Sequence, residues 1–201
     1  ACYSDELGLP LIYRDMASNL KVNVPLINES SLKTSGVDLQ IQYGIPMEFA
    51  SKRVSGLGET LRLSFMLSWL DEYVLDGIDY ADTSGYYNIR GSFPEYKAVL
   101  RLGYDIGPVN VTWTTTYIDA MKNQGNIPVF EDGGYKNLPS HTYHDLGAVW
   151  AIDETFELSA GIRNLFDKEP PVYENSIDQN TDPSTYDMVG RFYFAGVRAK
   201  F

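Results

Sequence analysis

Apolar and polar residues alternate with a period of two through most of the chain, and this pattern constrains the fold most strongly. Successive side chains of a β-strand point to opposite faces, so the period predicts strands, whereas a helical period is nearly absent. Predicted strands cover residues 20–26, 37–45, 61–69, 96–105, 109–117, 145–152, 156–163 and 193–201. The sequence therefore predicts an all-β, antiparallel fold of about eight strands.

The two faces of these strands differ in chemistry. In one run the apolar face is Val37, Leu39, Ile41, Tyr43 and Ile45. No charged residue lies on the apolar faces, and many of their rows end in aromatics: Tyr43, Trp69, Tyr96, Tyr104, Trp113, Tyr117, Trp150, Tyr193 and Phe201. Tyr and Trp at both ends of an apolar row match the two aromatic girdles of a membrane β-barrel. The pattern thus favours a transmembrane barrel wall over a soluble sandwich.

The links between the strands alternate between short and long. Residues 106–108 and 153–154 are tight turns, whereas residues 75–92, 122–140 and 164–188 are long, polar and predicted to be structureless. Such loops are rare in compact soluble domains. They are normal on the outer face of bacterial barrels, which keep short turns on the periplasmic side.

Composition excludes several other classes of protein. The 201 residues carry a net charge of −11 without clusters of Lys or Arg, so we expect no nucleic-acid partner. No apolar stretch is long enough for a membrane-spanning helix. The first 20 residues lack the pattern of an export signal, which indicates either a cytosolic protein or a chain that begins further upstream. Cys2 is the only cysteine, so it is either a free thiol or has its partner in that upstream part.

Three segments carry a family resemblance. Residues 32–39 (LKTSGVDL), residues 161–171 (GIRNLFDKEPP) and residues 186–201 (YDMVGRFYFAGVRAKF) occur in this order. Together they resemble TonB-dependent outer-membrane receptors, in which similar segments open one strand, leave the penultimate strand and close the barrel.

This resemblance implies a location in the bacterial outer membrane and uptake of a scarce nutrient driven by the TonB complex. Residues 1–201 would be the C-terminal portion of the barrel domain, with the plug domain and the TonB contact in a missing N-terminal part. We therefore expect that this portion cannot transport a ligand alone. The barrel-assembly machinery would read a signal in the last strand, which we assign to Phe194, Gly196, Ala199 and Phe201.

The long loops supply candidate ligand-binding residues. Tyr rings stack on sugar rings, and Asp oxygens accept hydrogen bonds from hydroxyl groups. The candidates are Tyr73, Asp76, Asp79, Tyr80, Tyr86, Tyr87, Tyr135 and Tyr173. Because the loops carry more Asp and Glu than Lys and Arg, they favour a neutral oligosaccharide slightly over an anionic ferric siderophore. A solvated loop surface without a ligand and a Ca²⁺ site are the other interpretations of this acidic stretch.

The sequence predicts no catalytic residue, metal site or cofactor. His141 and His144 would face opposite sides of a strand, so they are poor partners for one metal ion. No glycine-rich phosphate loop or other catalytic motif is present. Two alternatives remain at this point: an autonomous eight-stranded outer-membrane barrel, and a soluble β-sandwich that binds a ligand.

Overall fold

A computed structural model describes residues 12–14, 20–22, 31–48, 58–86, 89–127 and 134–200. The chain divides into two compact units, residues 1–31 and residues 32–201. In the first unit, β1 (Ile12–Arg14) and β2 (Leu20–Val22) form an antiparallel pair. Only the start of the predicted strand 20–26 is thus seen as a strand, because residues 23–26 lie outside the described ranges.

The second unit is one large antiparallel sheet with folded outer loops. Its strands, in chain order, are β3 (Leu32–Pro46), β4 (Glu59–Leu75), β5 (Ile78–Asp79), β6 (Thr83–Tyr86), β7 (Arg90–Phe93), β8 (Tyr96–Ile106), β9 (Val109–Ile118), β10 (Lys122–Asn123), β11 (His141–Ala151), β12 (Phe156–Arg163) and β13 (Phe192–Ala199). The long strands follow the order β13-β12-β11-β9-β8-β4-β3, and β5 pairs with β4. In the described part of the chain the sheet is open, with β3 and β13 at its edges.

Short turns join the long strands at one end of the sheet. Gly107 and Pro108 alone connect β8 to β9, with Ile106 paired to Val109. Gly107 has a φ of +52°, as the first residue of a tight hairpin turn requires. Between β11 and β12, the Asp153 carboxylate accepts the N–H groups of two following residues. The predicted short turns at these two places are confirmed.

The strand register places the predicted apolar residues on one face. One row of directly paired residues crosses all seven long strands: Tyr43, Leu63, Leu102, Trp113, Leu146, Ile162 and Tyr193. A parallel row on the opposite face contains Gln42, Ser64, Arg101, Thr114 and Asp145. Directly opposed residues of a sheet share a face, so the alternation seen in the sequence becomes a continuous apolar surface.

The apolar surface runs obliquely across the strands. On β3 the apolar surface extends towards the outer loops as far as Val37. On β13 it ends at Tyr193, which lies in the row of Tyr43 and therefore three rows further from the outer loops than Val37. At the other end, β13 continues to Ala199, two rows below the row of Ile45. With two residues per row and the usual strand spacing, this shift corresponds to an inclination of roughly 25–35°, close to the tilt of strands in membrane barrels.

Among the described residues of the second unit, no second sheet covers this apolar surface. Its side chains are exposed, including Val37, Leu39, Ile41 and Tyr43. The buried apolar residues of the described chain lie instead where the outer loops meet the strand ends: Tyr80, Ile118, Met121, Leu138, Tyr143, Tyr173 and Tyr186. A β-sandwich would bury one whole sheet face, so the arrangement fits a barrel wall whose apolar face meets lipid.

The outer loops are more ordered than the sequence predicts. The expectation of structureless loops is wrong for residues 75–92 and 122–140, which contain β5, β6, β7, β10 and a 3-10 turn, Gln124–Asn126. These strands are two to four residues long. Strands this short carry no visible alternation, because their pairing depends on contacts between loops far apart in the sequence.

Candidate functional site

Three outer loops combine into a single folded unit, which we call the loop cap: residues 76–86, 89–95, 119–127, 134–140 and 164–191. Its small sheet has the order β10-β6-β7, so a strand from the second loop pairs with the hairpin of the first. The backbone N–H of Tyr86 donates to the carbonyl of Asn175 at 3.1 Å, which adds the third loop. The cap is therefore held by main-chain bonds that cross all three loops.

A chain of hydroxyl groups forms the centre of the loop cap. The Ser92 hydroxyl donates to the Asp182 carboxylate at 2.5 Å. Since its only proton is used there, Ser92 must accept from Ser84, which lies 2.7 Å away, and Ser84 must in turn accept from the Tyr173 hydroxyl at 2.7 Å. All protons thus point from Tyr173 towards the buried carboxyl of Asp182, the direction that an ionised carboxylate needs, because it can only accept.

The ionisation state of Asp182 agrees with this direction. Burial raises the pKa of the Asp182 carboxyl, but hydrogen bonds from Ser184, Ser92 and Thr185 outweigh burial, and the pKa lies below its usual value. Burial also raises the pKa of the Tyr173 phenol, so Tyr173 stays protonated and can donate. These donors therefore offset the cost of burying the charge.

Amide side chains attach the second loop to the other two. The Asn123 side chain accepts the N–H of Gly125 at 2.9 Å and donates to the carbonyl of Glu174 at 2.5 Å. Gln124 is fully buried and donates to the carbonyl of Gly91 at 3.4 Å. Each amide therefore supplies a hydrogen-bond partner to a backbone N–H or carbonyl group of the loops that would otherwise be left unpaired.

The predicted ligand residues at the end of β4 and in the first loop take different positions. Tyr80 is fully buried. Tyr73 is half-buried and stacks on Phe93 at a centroid distance of 4.3 Å. Asp79 is exposed, and its carboxylate accepts the N–H groups of Tyr73 and Ala81 at 3.1 and 3.0 Å. Asp76 is exposed in the tight turn after β4, with a φ of +51°. The first loop therefore exposes both carboxylates but not its tyrosine core.

The remaining candidates divide in the same way. The Tyr86 side chain is 61% exposed, whereas Tyr173 is buried in the hydroxyl chain. Tyr135 is half-buried against Gly125. Tyr87 lies outside the described residues. The structure therefore brings Tyr80 and Tyr173 into the interior of the loop cap and leaves Tyr86, Asp76 and Asp79 at its surface, and the ligand-binding role of all eight stays a prediction.

The predicted assembly residues lie on both faces of β13. Phe194 faces away from the apolar surface, with its ring against Gly161 on β12, and Gly196 lies two residues further on the same face. Ala199 is on the apolar face, paired with Phe156. Phe201 lies outside the described residues. Their role in assembly stays a prediction.

The two histidines face opposite sides of β11, as the spacing predicts, because they pair with Ile118 and Thr115, which alternate on β9. His141 is buried and bonds the carbonyl of Glu169. Among the described residues, no group of three or more His, Cys, Asp or Glu side chains is placed to hold a metal ion. In the same part of the chain, no helix is long and apolar enough to cross a membrane.

Sequence reasoning missed the residues that build the cap. These polar residues are spread over three loops, and nothing in the sequence marks Ser84, Asn123, Gln124 and Asp182 as buried or Ser92 as half-buried. A partial signal was available in residues 182–184 (Asp-Pro-Ser), because Asp and Ser two residues apart favour a local turn in which the carboxylate accepts a backbone N–H.

An oblique apolar belt, an inner polar face, short turns at one end and folded loops at the other define the wall of an outer-membrane β-barrel. The family described as "TonB dependent receptor-like, beta-barrel" matches residues 11–165, which is more than half of the chain. The chain therefore belongs to the β-barrel family of TonB-dependent receptors, which are outer-membrane receptors and transporters rather than enzymes. Comparisons with curated proteins and with solved structures found no match.

Proposed function

We propose that this chain forms part of a receptor that captures a scarce nutrient at its outer loops and imports it with energy from the TonB complex. Family membership is the observation that carries the proposal. The loop cap supports it further, since a rigid set of loops above a barrel wall presents fixed side chains to a ligand arriving from outside.

The exposed part of the cap is the proposed ligand surface. Tyr86 offers an aromatic face on a backbone that is fixed by the hydrogen bond to Asn175. Asp76 and Asp79 are exposed on the same loop. Tyr80 and Tyr173 then act indirectly, because they hold the loops in place. An aromatic face and carboxylate acceptors on one loop suit the rings and hydroxyl groups of a sugar.

The proposed ligand is a neutral oligosaccharide, with a ferric siderophore as the second candidate. The loop sequences contain more acidic than basic residues. An acidic surface repels an anionic siderophore but not an uncharged sugar. The two candidates differ in their response to salt, since only the binding of a charged ligand is screened strongly.

Uptake by cells separates these proposals. Cells that carry the receptor are given a labelled oligosaccharide or a labelled ferric siderophore, with and without a functional TonB complex. We expect TonB-dependent accumulation of the oligosaccharide. Uptake that continues at the same rate without TonB would contradict energised transport, and accumulation of the siderophore alone would reverse the choice of ligand.

Replacement of one exposed tyrosine tests the site. Tyr86→Ala should weaken ligand binding by about twofold to tenfold, the equivalent of one aromatic contact. Tyr43→Ala is the matched control, because Tyr43 is equally exposed but lies on the lipid-facing side of β3. Equal loss of binding in both variants, with folded protein in each, would argue against a ligand surface at Tyr86.

We also propose that the last strand carries the signal for barrel assembly. Phe194, Gly196, Ala199 and Phe201 make up that signal. Phe201→Ala should lower the fraction of receptor in outer membranes that shows heat-modifiable gel mobility. An unchanged folded fraction at an unchanged expression level would remove Phe201 from the signal.

A further inference from the structure

Part of the lipid-facing side is polar at the outer end of the sheet. The row that starts with Ile41 continues through Phe65 and Leu100, and it ends in Thr115 on β9 and His144 on β11. Because the apolar belt is inclined, its upper limit descends from Val37 to Tyr193 and crosses this row at β11. His144 therefore lies at the level where the belt meets the lipid headgroups, with Thr115 beside it.

A short hydrogen-bond chain orients His144. The indole N–H of Trp113 donates to the Thr115 hydroxyl at 2.9 Å, and this hydroxyl lies 3.0 Å from Nδ1 of His144. The Thr115 hydroxyl has one proton and a second lone pair left, so the tautomer of the ring decides which of the two groups donates. In the neutral tautomer in which the hydroxyl donates to Nδ1, the ring proton is on Nε2. The His144 side chain is half-buried, so part of the ring reaches the surface.

A cation completes this row two strands away. Arg191 immediately precedes β13, and its guanidinium bonds the hydroxyl of Tyr193 on the lipid-facing side. Continued by one row beyond the pairs Leu146–Ile162 and Ile162–Tyr193, the register brings Arg191 level with His144. Two strand spacings then separate their backbones by about 10 Å, within the combined reach of both side chains for one phosphate group. The nearby Asp167 carboxylate is engaged by the backbone N–H of Arg191 at 2.8 Å.

Apolar features surround these two donors. Phe166 is 63% exposed and lies against the ring of His144 at a centroid distance of 5.2 Å. Directly below, small side chains leave a shallow cavity of about 340 Å³ in the apolar surface. It is lined by Val111, Leu146, Ala148, Ala160, Ile162 and Tyr193, together with backbone of the neighbouring residues.

We propose that His144 and Arg191 bind the phosphate group of a lipid in the outer leaflet of the membrane, whose acyl chain occupies the shallow cavity below. Headgroup donors directly above an apolar groove match the shape of such a lipid, with the anionic group at the interface and the chain in the belt. A cation near the membrane surface attracts an anionic lipid, and the imidazole N–H adds a directed hydrogen bond.

Lipid binding to the purified receptor tests the proposal. The receptor, freed of lipid in an uncharged detergent, is titrated with phosphatidic acid, with diacylglycerol of the same acyl chains and with inorganic phosphate, and bound molecules are counted by native mass spectrometry. We expect phosphatidic acid to bind about fivefold to tenfold more tightly than diacylglycerol. Inorganic phosphate should bind far more weakly, because it cannot use the groove.

Three variants locate the site. His144→Gln and Arg191→Gln should each reduce the preference for phosphatidic acid, and the double variant should abolish it. Arg101→Gln is the matched control, because Arg101 lies on the opposite face of the sheet. Arg191 precedes its strand, so its variant remains informative if replacement of His144 prevents folding.

Three results would overturn the proposal. Phosphatidic acid and diacylglycerol could bind equally well to the unaltered receptor. Arg101→Gln could lower the preference as much as Arg191→Gln does. Inorganic phosphate could bind as tightly as the lipid, which would show a free phosphate site rather than a lipid site.

Discussion

Replacement of Asp182 by asparagine should loosen all three outer loops together. The variant removes the charge that accepts bonds from Ser92 and from the hydroxyl and N–H groups of Ser184, at 2.5, 2.6 and 2.9 Å. An amide also brings N–H donors to a place where the neighbouring groups donate. Hydrogen bonds to a charged group are each worth about 1.5–3 kcal/mol, so we expect the free energy of opening of the cap to fall by about 2–4 kcal/mol.

Hydrogen exchange of backbone amides measures this opening directly. Exchange in Asp182→Asn should accelerate by about 30-fold or more in residues 80–86, 121–126 and 173–186, the equivalent of at least 2 kcal/mol. The long strands should keep their protection. Asp178→Asn is the control, because Asp178 is exposed and its ion pair with Arg90 contributes about 0–1 kcal/mol.

The same carboxylate makes the cap sensitive to acid. The folded pKa of Asp182 is lowered, so its contribution is complete above the unfolded pKa and is lost as the pH falls through the folded value. We therefore expect opening of the cap to increase below about pH 4, and Asp182→Asn to lack this change. Identical exchange in Asp182→Asn and the unaltered protein, or equal effects of Asp182→Asn and Asp178→Asn, would refute the role of the hydroxyl chain.

Two glycine positions give further predictions. Gly36→Ala should reduce the folded, heat-modifiable fraction, since a Cβ there would lie 2.3 Å from a backbone carbonyl of β4, whereas Gly44→Ala should be tolerated with its nearest neighbour at 3.9 Å. Gly161→Ala should displace the ring of Phe194, 2.4 Å from the added carbon, and lower stability by about 1–3 kcal/mol. Gly147→Ala meets no atom within 4 Å and should have little effect in the same denaturation assay, so an equal loss would contradict this packing argument.

The sequence was sufficient to predict the sheet and its apolar face. Alternation is a local property of each strand, so the row through Tyr43, Trp113 and Tyr193 could be identified before pairing was known. The TSGVDL segment also has a physical explanation in the structure. The register shifts between Ser35 and Gly36, and the backbone of β4 approaches Gly36 too closely for any larger residue.

The interior of the loop cap could not be predicted. Tyr80, Tyr173 and Tyr86 all lie in polar loop sequences that look alike, although the first two are buried and Tyr86 is exposed. Only contacts between distant loops decide which of these tyrosines is buried. The hydroxyl chain joins Ser84 to Tyr173 across 89 residues of sequence. Polar residues in a loop normally face solvent, so burial of Asp182 depends on partners that no local pattern reveals.

The hydroxyl chain also limits how the ligand specificity of this receptor can change during evolution. A new loop sequence taken from a relative would have to supply the hydrogen-bond donors and acceptors that pair with groups of the other two loops. Substitutions at exposed positions such as Tyr86 can accumulate one at a time, whereas an exchange of a whole loop would have to include matching changes in its neighbours. We therefore expect the three loops to be inherited together, as one recombination block.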